Sequence, residues 1–214
     1  MPVRAKICGL TRAEDVSASV RAGASYLGVV FAESPRAVTP KQARELVAVA
    51  EGLPVLGVFT GHTVENILQI CQQAGLSGAQ LHGSYSQTDA RRLRERELEV
   101  WRVVRIAVPA DLDLLVPAMP DSDAVLVEPM VSSVRGGAGV ALDLAVAREA
   151  RSRLAAHAMV LAGGLTPETV TEALDLVRPD VVDVSSGVER RPGLKDPDKI
   201  LQFVEAVFAH SPIT

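Results

Sequence analysis

The residues with the clearest chemical potential sit at the ends of short apolar runs. The first is Cys8, in Val3-Arg4-Ala5-Lys6-Ile7-Cys8-Gly9. Free cysteine is commonly a small, inert core filler. Here it ends a strand-like run, and Gly9 leaves space above the sulfur. Lys6 lies two residues back, so on an extended strand it shares a face with Cys8. A neighbouring ammonium favours the thiolate over a thiol whose free pKa is about 8.5. The other reading of Lys6 is a structural ion pair with Asp183, should the first and last strands be neighbours.

Glu128 follows the apolar run Asp123-Ala124-Val125-Leu126-Val127. It reads either as an exposed loop acid or as an acid facing Cys8 across a shared mouth, a pairing suited to general acid–base work. Arg36, in Glu33-Ser34-Pro35-Arg36, offers a planar fork for a carboxylate. His82 ends the run Gly78-Ala79-Gln80-Leu81 and either lines the same mouth or merely finishes the strand. Cys71 sits on an apolar helical stripe with Ile67 and Leu68 and reads as packing.

Two further segments carry glycine after a strand: Ala162-Gly163-Gly164-Leu165, and Asp183-Val184-Ser185-Ser186-Gly187-Val188-Glu189. Glycine permits close backbone approach, and successive N–H groups at a helix start bind anions. Together they read as a phosphate cradle built from backbone, with no lysine or arginine required.

These positions make sense only on a scaffold that gathers strand ends. Eight apolar runs recur, at 3–7, 26–31, 55–59, 78–81, 100–106, 123–127, 159–162 and 181–184. Helical patterns follow each. Thr11 with Glu14, and Thr39-Pro40 with Gln42, read as helix starts with capping boxes. Thr63, Ser86, Thr166 and Asp196 read as further caps. The fifth helix, near 111–119, is weakened by Pro117. Alternating strand and helix predict a parallel sheet. Eight units within 214 residues predict an α/β fold, a single-domain (β/α)8 barrel over 1–214. A doubly wound open sheet would need a switch point that the pattern does not show. In a barrel the chemistry gathers where strands end, which is where Cys8, Glu128, Arg36 and His82 fall. The one loop insertion is the glycine-bearing segment 131–139.

Composition narrows the class. Hydrophobic residues make up 48% and aromatics 3%, suiting Val-rich strands buried on both faces. A net charge of −4 without a basic tract argues against nucleic-acid binding. Two cysteines build neither a disulfide framework nor a zinc site. No apolar run reaches the roughly 18–20 residues that span a membrane, and no signal peptide is visible, so a cytoplasmic protein with no membrane partner is expected. Nothing in the chain points to an oligomeric state.

Taken in order, KICGLT (6–11), SPRAVTP (34–40), LGVF (56–59), QLHG (80–83), GGAG (136–139), AGGLTPETV (162–170), DVSSGVE (183–189) and PGLKD (192–196) resemble the phosphoribosylanthranilate isomerase family of tryptophan biosynthesis. The resemblance covers nearly the whole chain. It implies a (β/α)8 barrel and an Amadori rearrangement of a small phosphorylated substrate, N-(5′-phosphoribosyl)anthranilate, with no cofactor and no metal. It implies Cys8 as the base that removes the C2′ proton and Arg36 as the contact to the anthranilate carboxylate. The backbones around Gly164 and at Ser186-Gly187 resemble the phosphate cradle, and Gly163, Ser185 and His82 are expected beside them in the substrate site. The chain departs from the family twice. Glu128 stands where the family has aspartate, and Leu142-Asp143-Leu144 where it has Phe-Asp-Trp. Two other functions stay open: a dual-substrate aminoaldose isomerase, and a homologue that binds a phosphorylated ligand without turnover.

Overall fold

A computed structural model describes residues 2–130 and 142–210. The segment 131–139 therefore lies outside the described residues. Eight parallel strands close into a barrel in sequence order, with β8 returning to β1. The strands are β1 Arg4–Ile7, β2 Tyr26–Val30, β3 Val55–Thr60, β4 Gly78–His82, β5 Glu99–Ile106, β6 Ala124–Pro129, β7 Ala158–Ala162 and β8 Val181–Val184. Each matches an expected apolar run to within two residues at either end. Closure sets Lys6 opposite Asp183 in the β1–β8 register.

Side chains alternate between two cores, as the period of a strand requires. One cluster lies between sheet and helices and includes Ile7, Val125, Val127, Leu161 and Val182. The other fills the barrel: Tyr26, Leu56, Trp101, Leu126, Val160 and Val181. Tyr26 and Trp101 meet edge to face there, ring centres 5.0 Å apart. Inward positions one step further along the strands, on the side where the chain leaves for the helices, change to polar: Gln80 after Gly78, Glu128 after Leu126, Asp183 after Val181. This polar layer is the floor of the mouth.

The helices pack outside: α1 Ala13–Ala22, α2 Pro40–Val47, α3 Val64–Ala74, α4 Gln87–Arg94, α5 Leu115–Ala118, α6 Leu144–Arg153, α7 Val170–Val177 and α8 Pro197–His210. Thr39 with Gln42 forms the expected capping box, Thr63 caps α3, and Ser86 caps α4 in a box with Asp89. Two expected caps are corrected. Helix α1 is led by Arg12 with no side-chain cap, because the Thr11 hydroxyl donates instead to the Gly193 carbonyl at 2.6 Å. Helix α7 begins after Thr169, whose hydroxyl accepts from the Thr166 N–H, so Thr166 is one turn too early. Before α5, Pro109–Leu114 forms a 3₁₀ turn, and α5 itself is only one turn long, as Pro117 suggested. After β8 comes a two-stranded antiparallel hairpin, β9 Glu189–Arg191 with β10 Leu194–Lys195, that the pattern did not suggest. No described helix is long and apolar enough to cross a membrane.

Candidate active site

Cys8 follows β1 directly and is buried. Its sulfur fits against β2 because residue 28 is glycine: a Cβ there would lie 2.8 Å from Sγ. The Lys6 ammonium lies below it, fully buried, donating to Asp183 Oδ1 at 3.1 Å and Gln80 Oε1 at 2.7 Å. It also stands 5.3 Å from the centre of the Trp101 ring. The ion-pair reading of Lys6 therefore holds. Burial pushes the Cys8 thiol above its ordinary pKa, and the pull of Lys6 does not overcome it. Burial alone would lower the Lys6 pKa, but Asp183 and Cys8 raise it, so the ammonium stays charged.

Glu128 leaves β6 on the inward face, two residues beyond Leu126 of the inner core. Arg105, its register partner on β5, donates from Nε to Oε1 at 2.7 Å. His82 Nδ1 approaches the same oxygen at 3.6 Å. Both contacts take Oε1; among the described residues Oε2 has no partner. His82 ends β4, and burial lowers its pKa more than Glu128 raises it. Its other nitrogen, Nε2, meets Gln80 Nε2 at 2.8 Å.

Arg36 is buried, and its stem covers Gly9: a Cβ on that glycine would come within 2.6 Å of Arg36 Cδ and 2.9 Å of Ser185 Oγ. Glu189 accepts from Arg36 Nε at 2.8 Å and Nη2 at 2.7 Å, a bidentate pair. That hydrogen-bonded carboxylate raises the Arg36 pKa against its burial. Glu189 also accepts from the buried Lys195 ammonium at 2.9 Å, which in turn donates to the Ser185 carbonyl at 2.9 Å. The loop after β8 is thus tied to a buried cation, where backbone alone was expected.

The two glycine loops touch. Gly187 lies in a 3₁₀ turn, Ser186–Val188, and a Cβ on it would stand 1.9 Å from the Leu165 carbonyl oxygen. Only glycine lets the loops after β7 and β8 close to this distance. Gly163 packs on Pro129 at the end of β6. Among the described residues, the N–H groups of Gly164, Ser186 and Gly187 have no hydrogen-bond acceptor. A patch of unmatched backbone donors over a closed barrel end is what an oxyanion requires.

A cleft of about 610 Å³ opens beside the mouth, between the loops after β3 and β4. It includes His82 but none of the other expected site residues, so it borders the mouth rather than forming it. Among the described residues no cluster of three His, Cys, Asp or Glu is arranged to hold a metal ion. Cys71 is buried on α3 with its pKa pushed up to about 12 by burial, consistent with packing. Asp143 caps α6 by accepting from the Ala145 N–H at 2.8 Å.

Gln80, Arg105, Glu189 and Lys195 touch the candidate residues and were not singled out from the sequence. Two signals were available. Gln80 precedes His82 by two, hence shares its face, and Arg105 lies on the strand next to Glu128 with the same inward parity.

Comparison with known proteins agrees with this geometry. The family model for N-(5′-phosphoribosyl)anthranilate (PRA) isomerase matches residues 5–206. A Paracoccus denitrificans protein named N-(5′-phosphoribosyl)anthranilate isomerase is 41% identical over 218 residues, spanning 95% of this chain and 96% of that one. The crystal structure of phosphoribosyl anthranilate isomerase from Thermotoga maritima is 34% identical, covers 96% of this chain and 98% of its own, and superposes with a TM-score of 0.87. A structure of a phosphoribosyl anthranilate isomerase in complex with reduced 1-(o-carboxyphenylamino)-1-deoxyribulose 5-phosphate superposes with a TM-score of 0.84 at 34% identity, with 96% of this chain and 98% of that one covered.

Proposed function

This chain belongs to the N-(5′-phosphoribosyl)anthranilate isomerase family, and we propose that it performs that isomerisation with Cys8 as general base and Glu128 as general acid. The observation that carries this reading is that a thiol and a carboxyl end two non-adjacent strands, β1 and β6, on the inward face of one barrel mouth. Glu128 gives the proton on Oε2 to the furanose oxygen. The C1′–O bond breaks as the anilino nitrogen lone pair forms an iminium ion. The iminium acidifies C2′–H, and the Cys8 thiolate takes that proton, leaving an enolamine. The enol then loses its O–H proton and C1′ gains one, giving the ketone. Starting from the thiolate, these steps leave Cys8 with one proton more and Glu128 with one fewer, and exchange with solvent resets both.

Arg105 engages Oε1, so the reading assigns the transferable proton to Oε2. Burial favours the thiol, so its proton must pass to solvent before the base can act, and Lys6 below it is the charge that favours the thiolate. Arg36, oriented by Glu189, is the proposed contact to the anthranilate carboxylate. The backbone N–H groups of Gly164, Ser186 and Gly187 are the proposed phosphate cradle, with Gly163, Ser185 and His82 lining the site. Fluorescence of the anthranilate group tests the reading: freshly made substrate in excess should be converted through many turnovers. A single change, stoichiometric with protein, would mean a binding homologue without catalysis.

A further inference from the structure

The floor of the mouth contains a chain of polar contacts that the acid–base pair itself does not require. It runs from Asp183 on β8 to Lys6 on β1, then to Gln80 and His82 on β4, and ends at Glu128 on β6. The contacts are 3.1 Å from Lys6 Nζ to Asp183 Oδ1, 2.7 Å from Nζ to Gln80 Oε1, 2.8 Å from Gln80 Nε2 to His82 Nε2, and 3.6 Å from His82 Nδ1 to Glu128 Oε1.

The inventory of donors and acceptors settles how each group is turned. An ammonium only donates, so the Gln80 atom facing Lys6 must be its carbonyl oxygen. The amide nitrogen then faces His82 and donates. His82 Nε2 must therefore be the bare, accepting nitrogen, and the neutral ring carries its proton on Nδ1. That N–H faces Glu128. The doubly protonated ring and the opposite tautomer would both set two donors against each other at 2.8 Å. The charged groups facing His82 are Glu128 from β6, Arg105 from β5, Lys6 from β1 and Asp183 from β8. Arg105 Nη2 also stands 3.4 Å from Nδ1, a donor facing a donor in this tautomer, but this contact is the longer of the two, and Arg105, half exposed and held to Glu128 through Nε, can turn Nη2 to water. Burial keeps the ring neutral, as this arrangement needs.

We propose that Gln80 and His82 are positioning residues for the acid step: Lys6 orients the Gln80 amide, the amide fixes His82 as its Nδ1–H tautomer, and that N–H receives the carboxylate that forms on Glu128. The inference rests on Glu128 being the acid. A separation of 3.6 Å is longer than a hydrogen bond, and catalytic contacts of this kind commonly tighten only as charge develops. Glutamate's extra methylene relative to aspartate gives the carboxyl the reach to meet a donor on β4. The same chain links the lysine beneath the base to the acid, so one charged layer orients both.

Two measurements test it. Nitrogen-15 NMR of the His82 ring in the wild-type protein, assigned by the signals lost in His82→Asn, should show a proton on Nδ1 and a bare Nε2. A proton on Nε2 overturns the proposal. In kinetics, His82→Leu should lose about tenfold to a hundredfold in kcat, the worth of a hydrogen bond to a charged group, with KM changed little. His82→Asn, whose amide nitrogen can stand in for Nδ1–H, should keep most of kcat, and Gln80→Glu, which demands a proton on Nε2, should fall with His82→Leu. Glu128→Gln separates the two levels. If Glu128→Gln is dead while His82→Leu turns over normally, the positioning role fails and the acid stands. If Glu128→Gln is itself active, the acid assignment fails first. Should His82→Leu not fold, the wild-type NMR result decides alone.

Discussion

Glu189 holds Arg36 by two parallel hydrogen bonds, Nε to Oε1 at 2.8 Å and Nη2 to Oε2 at 2.7 Å, across 153 positions of sequence. Both are buried, and Lys195 completes the cluster by donating to the same Oε1. Two cations share one anion, so Glu189 is the member whose loss leaves the most charge uncompensated.

Glu189→Gln should therefore destabilise the fold at neutral pH by about 3–5 kcal/mol, the usual cost of breaking a buried pair from one side. Burial alone would raise the Glu189 pKa, but Arg36 and Lys195 hold it below the ordinary carboxylate value. A depressed folded-state pKa adds stability that is full above the unfolded value of about 4.3 and is lost as pH falls through the folded one. Urea unfolding of both proteins should show the gap closing on acidification below that range. A gap that stays constant down to the acid limit would show that packing rather than charge is lost.

Cys8→Ala should lose about 10²–10⁴-fold in kcat with the fold intact, as expected for a general base. More than about a third of wild-type kcat would reduce the thiol to packing. Because burial outweighs Lys6, alkylation of Cys8 by iodoacetamide in a Cys71→Ala background should rise with pH, with its midpoint above the free-thiol value of about 8.5. Lys6, Asp183 and Lys195 are the charged neighbours that set this balance. A midpoint below the free-thiol value would mean that the ammonium wins.

Glu128→Gln should abolish turnover while ligand affinity stays nearly unchanged, since the amide keeps the shape and cannot supply the proton. Glu128→Asp shortens the reach by about 1 Å, a displacement that can cost about 10²-fold. With Arg105 and His82 both turned to the longer side chain, the expected direction is loss, read as kcat at saturating substrate. Near-wild-type kcat for Glu128→Gln would place the acid elsewhere.

Gly187→Ala puts a methyl group into the Leu165 carbonyl, which stands 1.9 Å from the new Cβ. The loops after β7 and β8 must part, which displaces the N–H groups of Gly164, Ser186 and Gly187 proposed as the phosphate cradle. Inorganic phosphate should then inhibit about tenfold less well and KM should rise by a similar factor, the worth of one charge-assisted hydrogen bond. In wild-type crystals soaked with phosphate, density should appear between these loops. Density confined to Arg36 would contradict the backbone cradle.

The sequence by itself determined what is local and periodic. Short apolar runs placed all eight strands and their ends, so Cys8, His82 and Glu128 could be assigned to one rim. Hydroxyl caps announced helices α2, α3 and α4, because a cap and the N–H it accepts from lie within three residues. Barrel closure even predicted the pairing of Lys6 with Asp183. What the pattern missed depends on partners remote in the chain. Thr11 reads as a cap but spends its hydroxyl on Gly193, 182 positions away. Arg36 reads as a lone rim cation but is bound by Glu189, and Lys195 had no assigned role until the hairpin of β9 and β10 folded it under Ser185. Gln80 reads as one polar residue in a strand and becomes the hinge between Lys6 and His82, its oxygen claimed by a donor 74 positions away. Periodicity encodes the face a side chain leaves from. Only the closed barrel decides which donor meets which acceptor inside it, because strand register and loop packing set distances that no local spacing contains.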